Sequence, residues 1–397
     1  MTFKRMALGS IATGTIYAVI RQRFDRMMTL DYTPTDQNKI IVDGLSDVLA
    51  QYQPTLYLPF NLLRMIMSFI AVADTKTMMR QEVRLSDGEV ISLDWLPKTF
   101  ASMAESTPIV LLVPGLTSDS TAAYANEFIS YAVSKYGFRA CIMNRRGYSM
   151  KYAKEDIDPI TWDKFQDLEQ VLKMIEAQFP KANIYLAGTS MGANYIQKYA
   201  GLKGESQAMV NVKALGCVSS PYCIIKATNH IAQGYWTRIA IAKTLISTFE
   251  AHLSDERFLL ALKKREIDPK IVMGSQSSDE FNKHFSVKFT THPDVASYQR
   301  SVSSSGYIKH INVPTLAINS KTDLISPFAA VPFDEIAVNP NYIQISVNGG
   351  GHLEYYSGNR MRRWAFDAIL TYFRNIETRL NPPISTEKSS ISVQPKQ

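Results

Sequence analysis

The sequence predicts an α/β fold: a mostly parallel sheet covered by helices on both faces, with a helical cap inserted between two strands. Short, wholly apolar runs such as Ile109–Val113 alternate with stretches of helical spacing such as residues 162–179. This alternation is typical of parallel sheets whose strands are buried on both faces. The alternation of strands and helices is interrupted between residues 221 and 305 and resumes at Pro314, which an inserted lid or cap explains.

The elements follow one another in a regular order. Residues 81–96 alternate around the turn dipeptide Asp87-Gly88 and predict an antiparallel hairpin at one edge of the sheet. Buried strands are expected at residues 109–113, 139–143, 183–187, 212–218, 314–319 and 342–347. Helices are expected at residues 123–136, 162–179, 191–200 and 362–376.

Composition excludes several classes of protein. The chain has 397 residues and is 46% hydrophobic, which is enough to bury a large core. Its net charge of +7 is small for this length and is not concentrated in one cluster, so we expect no nucleic-acid partner, while an anionic membrane surface remains open. The three cysteines, Cys141, Cys217 and Cys223, lack CxxC spacing, which argues against a disulfide framework and favours a reducing, intracellular compartment.

Two apolar runs lie near the N-terminus. Residues 6–20 are uncharged and flanked by basic residues, but as a helix they would rise only about 22 Å against a hydrocarbon core of about 30 Å. A membrane anchor, an interfacial helix, a helix packed on its own domain and a transit peptide all remain open. Residues 56–72 contain Pro59 and Arg64, and they fit an amphipathic helix on the globular body as well as a membrane-facing patch.

These patterns divide the chain into six segments. We expect a membrane anchor or interfacial segment at 1–30, an N-terminal extension at 31–80, the first part of the core at 81–220, the cap at 221–305, the second part of the core at 306–380 and a disordered tail at 381–397.

The sharpest motif is the pentapeptide Gly188-Thr189-Ser190-Met191-Gly192, which directly follows one predicted strand and directly precedes a helix. A G-x-S-x-G motif in this context lifts a serine hydroxyl out of a strained turn above the sheet. Glycines flank the serine because side chains there would collide across the tight bend. We therefore predict Ser190 as a nucleophile.

A nucleophilic serine needs a base and an orienting acid, and in this architecture they follow in the order serine, acid, histidine. Of the six histidines, only His352 follows a late strand, in the glycine-rich loop of residues 348–352, and we predict it as the base. The strand at 314–319 leads to Asp323, the predicted acid, with Asp334 as the alternative.

The oxyanion of a tetrahedral intermediate needs backbone N–H donors. Met191, the residue after the nucleophile, is expected to supply one. The loop after the strand Ile109–Val113 should supply the other, from Leu116 or, as a close alternative, Thr117.

Several segments in this order resemble the AB hydrolase superfamily type 4 family, which includes bacterial YheT-like esterases and eukaryotic single-pass membrane lipases acting on phospholipids and monoacylglycerols. The resemblance covers residues 80–375 and rests on EVRLSDGEVISLDWL, PGLTSDS, NRRGYS, GTSMGAN, PTLAINSKTDLISP and NGGGHLEY. It implies an α/β-hydrolase fold with Ser190 as nucleophile, Asp323 as acid and His352 as base. It also implies membrane association, including a single-pass anchor.

The leading hypothesis is a serine hydrolase that cleaves carboxylic esters of lipids, of the phospholipid or monoacylglycerol type, without a cofactor or metal. One alternative is an acyltransferase on the same triad, although none of the six histidines has an aspartate five positions later, as some lipid acyltransferases do. The other is a catalytically inactive membrane-associated scaffold. The sequence does not indicate the head group, the chain length or the oligomeric state.

Overall fold

The computed structural model describes residues 28–53, 78–100, 103–148, 151–154, 157, 161–206, 211–358 and 362–380. The apolar runs at residues 6–20 and 56–72 and the tail at 381–397 lie outside these ranges, so what was expected of them stays a prediction. Within the described ranges, no helix combines the length and the apolar character needed to cross a membrane.

The described residues form a nine-stranded sheet and a separate two-stranded pair. The strands of the sheet are β1 Thr29–Tyr32, β2 Met79–Arg84, β3 Val90–Leu96, β4 Ile109–Val113, β5 Arg139–Asn144, β6 Ile184–Thr189, β7 Val212–Val218, β8 Thr315–Ser320 and β9 Tyr342–Val347; the separate pair consists of β10 Tyr356–Ser357 and β11 Arg362–Arg363. The order in the sheet is β1-β9-β8-β7-β6-β4-β5-β3-β2. Strands β4 to β9 run parallel to one another, whereas the β2–β3 hairpin pairs antiparallel with β5 at one edge and β1 pairs antiparallel with β9 at the other.

The α-helices in the described ranges lie mainly between the parallel strands. They are α1 Asp36–Asp43, α2 Ser46–Ala50, α3 Ala123–Ser134, α4 Phe165–Gln178, α5 Met191–Ser206, α6 Ile224–Gln233, α7 Tyr235–His252, α8 Glu256–Lys264, α9 Pro269–Met273, α10 Ser278–His284, α11 Val295–Val302, α12 Phe333–Ala337 and α13 Trp364–Leu380.

Helices cover both faces of the sheet, as the alternation of side chains along the strands requires. On β4, Ile109, Leu111 and Val113 belong to the apolar cluster that includes α4 and α5, whereas Val110 and Leu112 belong to the cluster that includes α3 and α13. Because both faces are buried, every residue of this strand is apolar. The predicted α/β fold is confirmed, and β7 and β9 have the predicted bounds.

Strand β1 was not predicted from the sequence. It has only four residues and is held in place by antiparallel pairing with the edge of β9, where Leu30 lies opposite Ile345. Asn38 anchors the following helix, since its amide donates to the carbonyl oxygens of Thr33 and Pro340, each at 2.9 Å. An edge strand of this kind depends on a distant partner, so its own pattern of residues gives no signal.

The connection from β7 to β8 contains the six helices α6 to α11 and, within the described residues, no strand. These helices have their own small core, which includes Phe249, Phe258, Phe281 and Phe285. Because β7 and β8 are neighbours and parallel, their connection leaves and re-enters the sheet at opposite ends of the strands. Cap side chains such as Ile231 and Phe249 line the same cavity as Ser190, which directly follows β6, so the cap lies next to the carboxyl ends of the strands, where ligands bind in sheets of this type.

Candidate active site

Ser190 occupies the sharp turn between β6 and α5. Its φ of 53° is in the left-handed region, and its N–H donates to the carbonyl oxygen of Val218 at 2.8 Å. A Cβ atom on Gly192 would come within 2.1 Å of the carbonyl oxygen of Val113, so only glycine fits beside this turn. The predicted strand–turn–helix context of the G-x-S-x-G motif is therefore present, and it exposes the hydroxyl at the carboxyl end of the sheet.

Three predicted side chains lie in one hydrogen-bonded row. The Nε2 atom of His352 is 2.7 Å from Oγ of Ser190, and its Nδ1 atom is 2.8 Å from Oδ2 of Asp323. The second oxygen of Asp323 accepts the N–H groups of Ile325 at 2.7 Å and of Ser326 at 3.0 Å. His352 pairs with Asp323 rather than with the alternative Asp334, which is exposed on α12.

The carboxylate beside His352 changes the imidazole's affinity for a proton. Burial disfavours the imidazolium and lowers the pKa of His352, but the charge and hydrogen bond of Asp323 outweigh burial and raise this pKa above its ordinary value. The charge of Glu354 acts in the same direction. This pocket therefore favours the imidazolium, the form that a general base reaches once it has accepted a proton.

The loop of residues 115–120 approaches Ser190 closely. A Cβ on Gly115 would lie 3.1 Å from Cβ of Ser190, and the N–H of Gly115 donates to the hydroxyl of Tyr124 at 2.9 Å. Leu116 and Met191, the predicted oxyanion donors, line the same cavity as Ser190. Met191 is the first residue of α5, so its N–H has no acceptor within the helix. Thr117 lines the cavity too, with a φ of 56°.

Residues that the sequence analysis missed hold the histidine loop. Glu354 accepts the N–H of His352 at 2.9 Å and that of Leu353 at 3.2 Å. The hydroxyl of Ser219 contacts the carbonyl oxygen of His352, and it lies 2.6 Å from the hydroxyl of Tyr355. Ser219 directly follows β7, and a polar residue at the carboxyl end of a parallel strand is a signal that could have indicated it.

A cavity of about 300 Å³ opens onto Ser190 and His352. Its walls are mostly apolar, and the cap supplies many of them, including Ile231, Leu245, Phe249 and the following side chains: Ile224, Ile241, Phe258, Phe281 and Phe285. The aromatic side chains of the cap differ in their position relative to this cavity. Phe249 and Phe258 line the cavity, whereas Tyr235 and Trp236 are 61% and 68% exposed on the first turn of α7.

A sheet of this order, with a serine after β6, an aspartate after β8 and a histidine after β9, defines the class of α/β hydrolases. Residues 104–331 match the Hydrolase_4 family, described as Serine aminopeptidase, S33, and the chain belongs to this family. The family resemblance read from the sequence motifs is thereby confirmed.

Individual relatives are distant. The chain is 26% identical over 288 residues to human Phospholipase ABHD3, covering 70% of this chain and 66% of that protein. It is 21% identical over 276 residues to the Monoacylglycerol lipase of Saccharomyces cerevisiae, covering 68% of this chain and 62% of the lipase. Among solved structures, the esterase Pf2001 of Pyrococcus furiosus has a TM-score of 0.44 at 16% identity, covering 71% of this chain and 87% of that one. The chain thus spans just under two thirds of the length of these two curated relatives.

Proposed function

We propose that this protein is a carboxylic ester hydrolase of lipids, and that Ser190, His352 and Asp323 are its catalytic triad. The observation that carries the proposal is the row of two hydrogen bonds, at 2.7 and 2.8 Å, which opens onto an apolar cavity. The family, and relatives named as a phospholipase and a monoacylglycerol lipase, support the same class of reaction.

In the acylation step, Oγ of Ser190 attacks the carbonyl carbon of the ester while Nε2 of His352 takes the hydroxyl proton. The new Oγ–C bond gives a tetrahedral intermediate, and the bond to the alcohol oxygen then breaks as His352 returns the proton to the leaving alcohol. Asp323 holds Nδ1 protonated and stabilises the imidazolium. Its two hydrogen bonds from Ile325 and Ser326 fix the carboxylate in that orientation.

The negative charge of the intermediate falls on the former carbonyl oxygen. The N–H groups of Met191 and Leu116 are the donors that we assign to it, because both residues line the cavity beside Ser190. Backbone donors need no reorganisation during the reaction and are worth more in a site with few waters. A water molecule, activated by His352, then attacks the acyl-enzyme and releases the acid.

The walls of the cavity favour an acyl chain as the bound part of the substrate. Side chains such as Ile231, Leu245 and Phe249 offer contacts to methylene groups but few hydrogen bonds to a polar ligand. Each buried methylene contributes about 0.8 kcal/mol, so affinity should rise with chain length until the cavity is full. A phospholipid or monoacylglycerol supplies such a chain together with the ester.

Such lipids reside in membranes, so we infer that the protein works at a membrane surface inside the cell. The net charge of +7 favours an anionic bilayer. Residues 6–20 are the candidate anchor or interfacial segment on sequence grounds, with Lys4, Arg5 and Arg21 beside them.

A serine-directed fluorophosphonate tests the proposal together with a series of p-nitrophenyl esters. We expect the wild-type protein to be labelled on Ser190 and to hydrolyse medium-chain esters faster than acetate. Ser190→Ala should abolish labelling and lower kcat by about 10⁴–10⁶-fold. Ser118→Ala, which changes another serine that lines the cavity, is the matched control and should still be labelled. Unlabelled, folded wild-type protein would indicate the inactive scaffold instead.

A further inference from the structure

A buried polar network joins the loop of residues 115–120 to two strands of the sheet. Asp94 on β3 is 3% exposed, and Asn144, the last residue of β5, is fully buried. Oδ2 of Asp94 accepts the hydroxyl of Ser120 and the side-chain amide of Asn144, the latter at 2.8 Å. Arg80 donates to both oxygens of Asp94, at 2.8 and 2.7 Å, from the edge strand β2.

Ser120 is held through its backbone as well as its side chain. Its N–H donates to the side-chain oxygen of Asn144 at 2.8 Å, and its carbonyl oxygen accepts the amide of Asn126 at 2.5 Å. Each polar group of Ser120 therefore has a partner. At the other end of the loop, the N–H of Gly115 donates to Tyr124. The loop that carries Leu116 is thus fixed at one end by buried polar groups of the core and at the other by the half-buried Tyr124.

The carboxylate form of Asp94 suits this arrangement. Burial raises the pKa of Asp94, but the hydrogen bonds from Arg80, Ser120 and Asn144 outweigh burial and hold this pKa below its ordinary value. As a carboxylate, Asp94 can accept hydrogen bonds from all of these donors at once. A protonated Asp94, or an asparagine in its place, would direct a donor of its own at one of these donors.

We propose that Asp94 is a positioning residue, which acts through Ser120 to keep the N–H of Leu116 aimed at the oxyanion that forms on the ester at Ser190. This inference rests on the proposed function. Donors stabilise the transition state only when they already point at the developing charge, so a small displacement of the loop lowers kcat more than it changes substrate binding. In the part of the chain that the structure describes, Asp94, Ser120 and Asn144 are not among the residues that line the cavity.

The test compares Asp94→Asn and Ser120→Ala with the matched control Ser92→Ala. Ser92, on β3, is a fully buried serine whose hydroxyl accepts from the same amide of Asn144 at 3.1 Å, and within the described residues its side chain makes no hydrogen bond to the loop. We expect Asp94→Asn and Ser120→Ala to lower kcat by about 10–100-fold with KM within about twofold of wild type. Ser92→Ala should keep kcat within about twofold of wild type.

A trifluoromethyl ketone inhibitor gives a second readout, because its adduct with the serine carries the oxyanion. We expect the Ki of this inhibitor to rise in Asp94→Asn and Ser120→Ala in proportion to the loss of kcat/KM. A medium-chain alkanol forms no adduct with the serine, so its Kd should not change. Thermal unfolding of each variant establishes that it is folded during the assays.

The outcomes separate this inference from the function on which it rests. If the wild-type protein hydrolyses esters and folded Asp94→Asn keeps the wild-type kcat and Ki, this inference is wrong while the proposed function stands. Equal losses of kcat in Ser120→Ala and Ser92→Ala would have the same meaning. A wild-type protein that neither reacts with the fluorophosphonate nor hydrolyses esters would overturn the proposed function and this inference with it.

Discussion

The Nε2 atom of His352 lies 2.7 Å from Oγ of Ser190, although 162 residues separate the two along the chain. The distance is set by two loops at the same edge of the sheet: the turn between β6 and α5, and the glycine-rich loop after β9. The end of a third strand, β7, links the two loops: Ser219 contacts the carbonyl oxygen of His352, and its neighbour Val218 accepts the N–H of Ser190 at 2.8 Å. The geometry of the candidate site therefore depends on the order of the strands as much as on Ser190 and His352 themselves.

The pH dependence of kcat/KM should reflect the raised pKa of His352. The base must be neutral to accept a proton, so activity falls as His352 becomes protonated. We therefore expect the acid limb of the profile, where kcat/KM falls with decreasing pH, to have its midpoint above the ordinary histidine pKa of about 6.5. Asp323→Asn should move this limb to lower pH and reduce kcat by about 10⁴-fold. Measurement of kcat/KM from pH 5 to 9 checks both.

Glu354→Gln is the comparison for this pH profile. The substitution removes a charge that also raises the pKa of His352, but the side chain of Glu354 does not contact Nδ1. The acid limb of the pH profile should therefore shift less than in Asp323→Asn. Equal displacement in the two variants, or a wild-type limb below pH 6, would contradict the assignment of Asp323 as the orienting acid.

Gly192→Ala should prevent the turn at Ser190 from closing. The added methyl would lie 2.1 Å from the carbonyl oxygen of Val113 and 2.5 Å from that of Pro114, and backbone atoms cannot give way cheaply. We expect a loss of about 3 kcal/mol in the free energy of unfolding and loss of fluorophosphonate labelling. Gly306→Ala, whose methyl would meet nothing within 4 Å, should unfold like the wild type in urea. Comparable stability of the two variants would show that the turn tolerates a side chain.

The cap should set the preferred acyl-chain length. Phe249 is 2% exposed and lines the cavity, so Phe249→Ala should enlarge it and move the optimum of kcat/KM to longer chains by two carbons or more. Trp236→Ala changes an aromatic ring of the same helix that is 68% exposed and absent from the cavity walls, and it should leave the optimum unchanged. A p-nitrophenyl ester series from two to sixteen carbons measures the profile. A flat profile in the wild type would show that the cap does not determine the preferred acyl-chain length.

The N-terminal segment should determine attachment to membranes. Deletion of residues 1–28 leaves β1 intact, since that strand begins at Thr29, and it removes the candidate anchor. We expect the shortened protein to move from the pellet to the supernatant after high-speed centrifugation, and to keep its reactivity with the fluorophosphonate. Wild-type protein found in the supernatant would remove the anchor hypothesis.

The candidate site was largely predictable because each of its parts depends on a short stretch of sequence at the end of one strand. The strand β6, the turn at Ser190 and the helix α5 occupy consecutive residues, and tight turns of this kind demand glycine at fixed positions such as Gly192. His352 and Asp323 could be chosen because strand ends in a parallel sheet converge on one edge. The choice of Asp323 over Asp334 rested on the same reasoning, and His352 pairs with Asp323.

The supporting contacts could not be read from the sequence, since they join residues far apart. Ser219 and His352 are 133 residues apart, and Ser120 and Asp94 are 26 apart on different elements. A lone buried aspartate or serine carries no local sign of its partner. Only the paired strands and the packed loops bring these groups together.

By itself, therefore, the sequence determined the alternating strands and helices, the family and the serine turn, because each of these depends on periodicity or on backbone geometry within a few residues. The tertiary structure alone decided which apolar side chains of α7 form the cavity and which face outward. Apolar residues such as Trp236, Ile241 and Phe249 occur around much of this helix, so their spacing gives no single buried face. The faces are assigned only when α7 packs against its neighbours, and burial then separates Phe249 from Trp236.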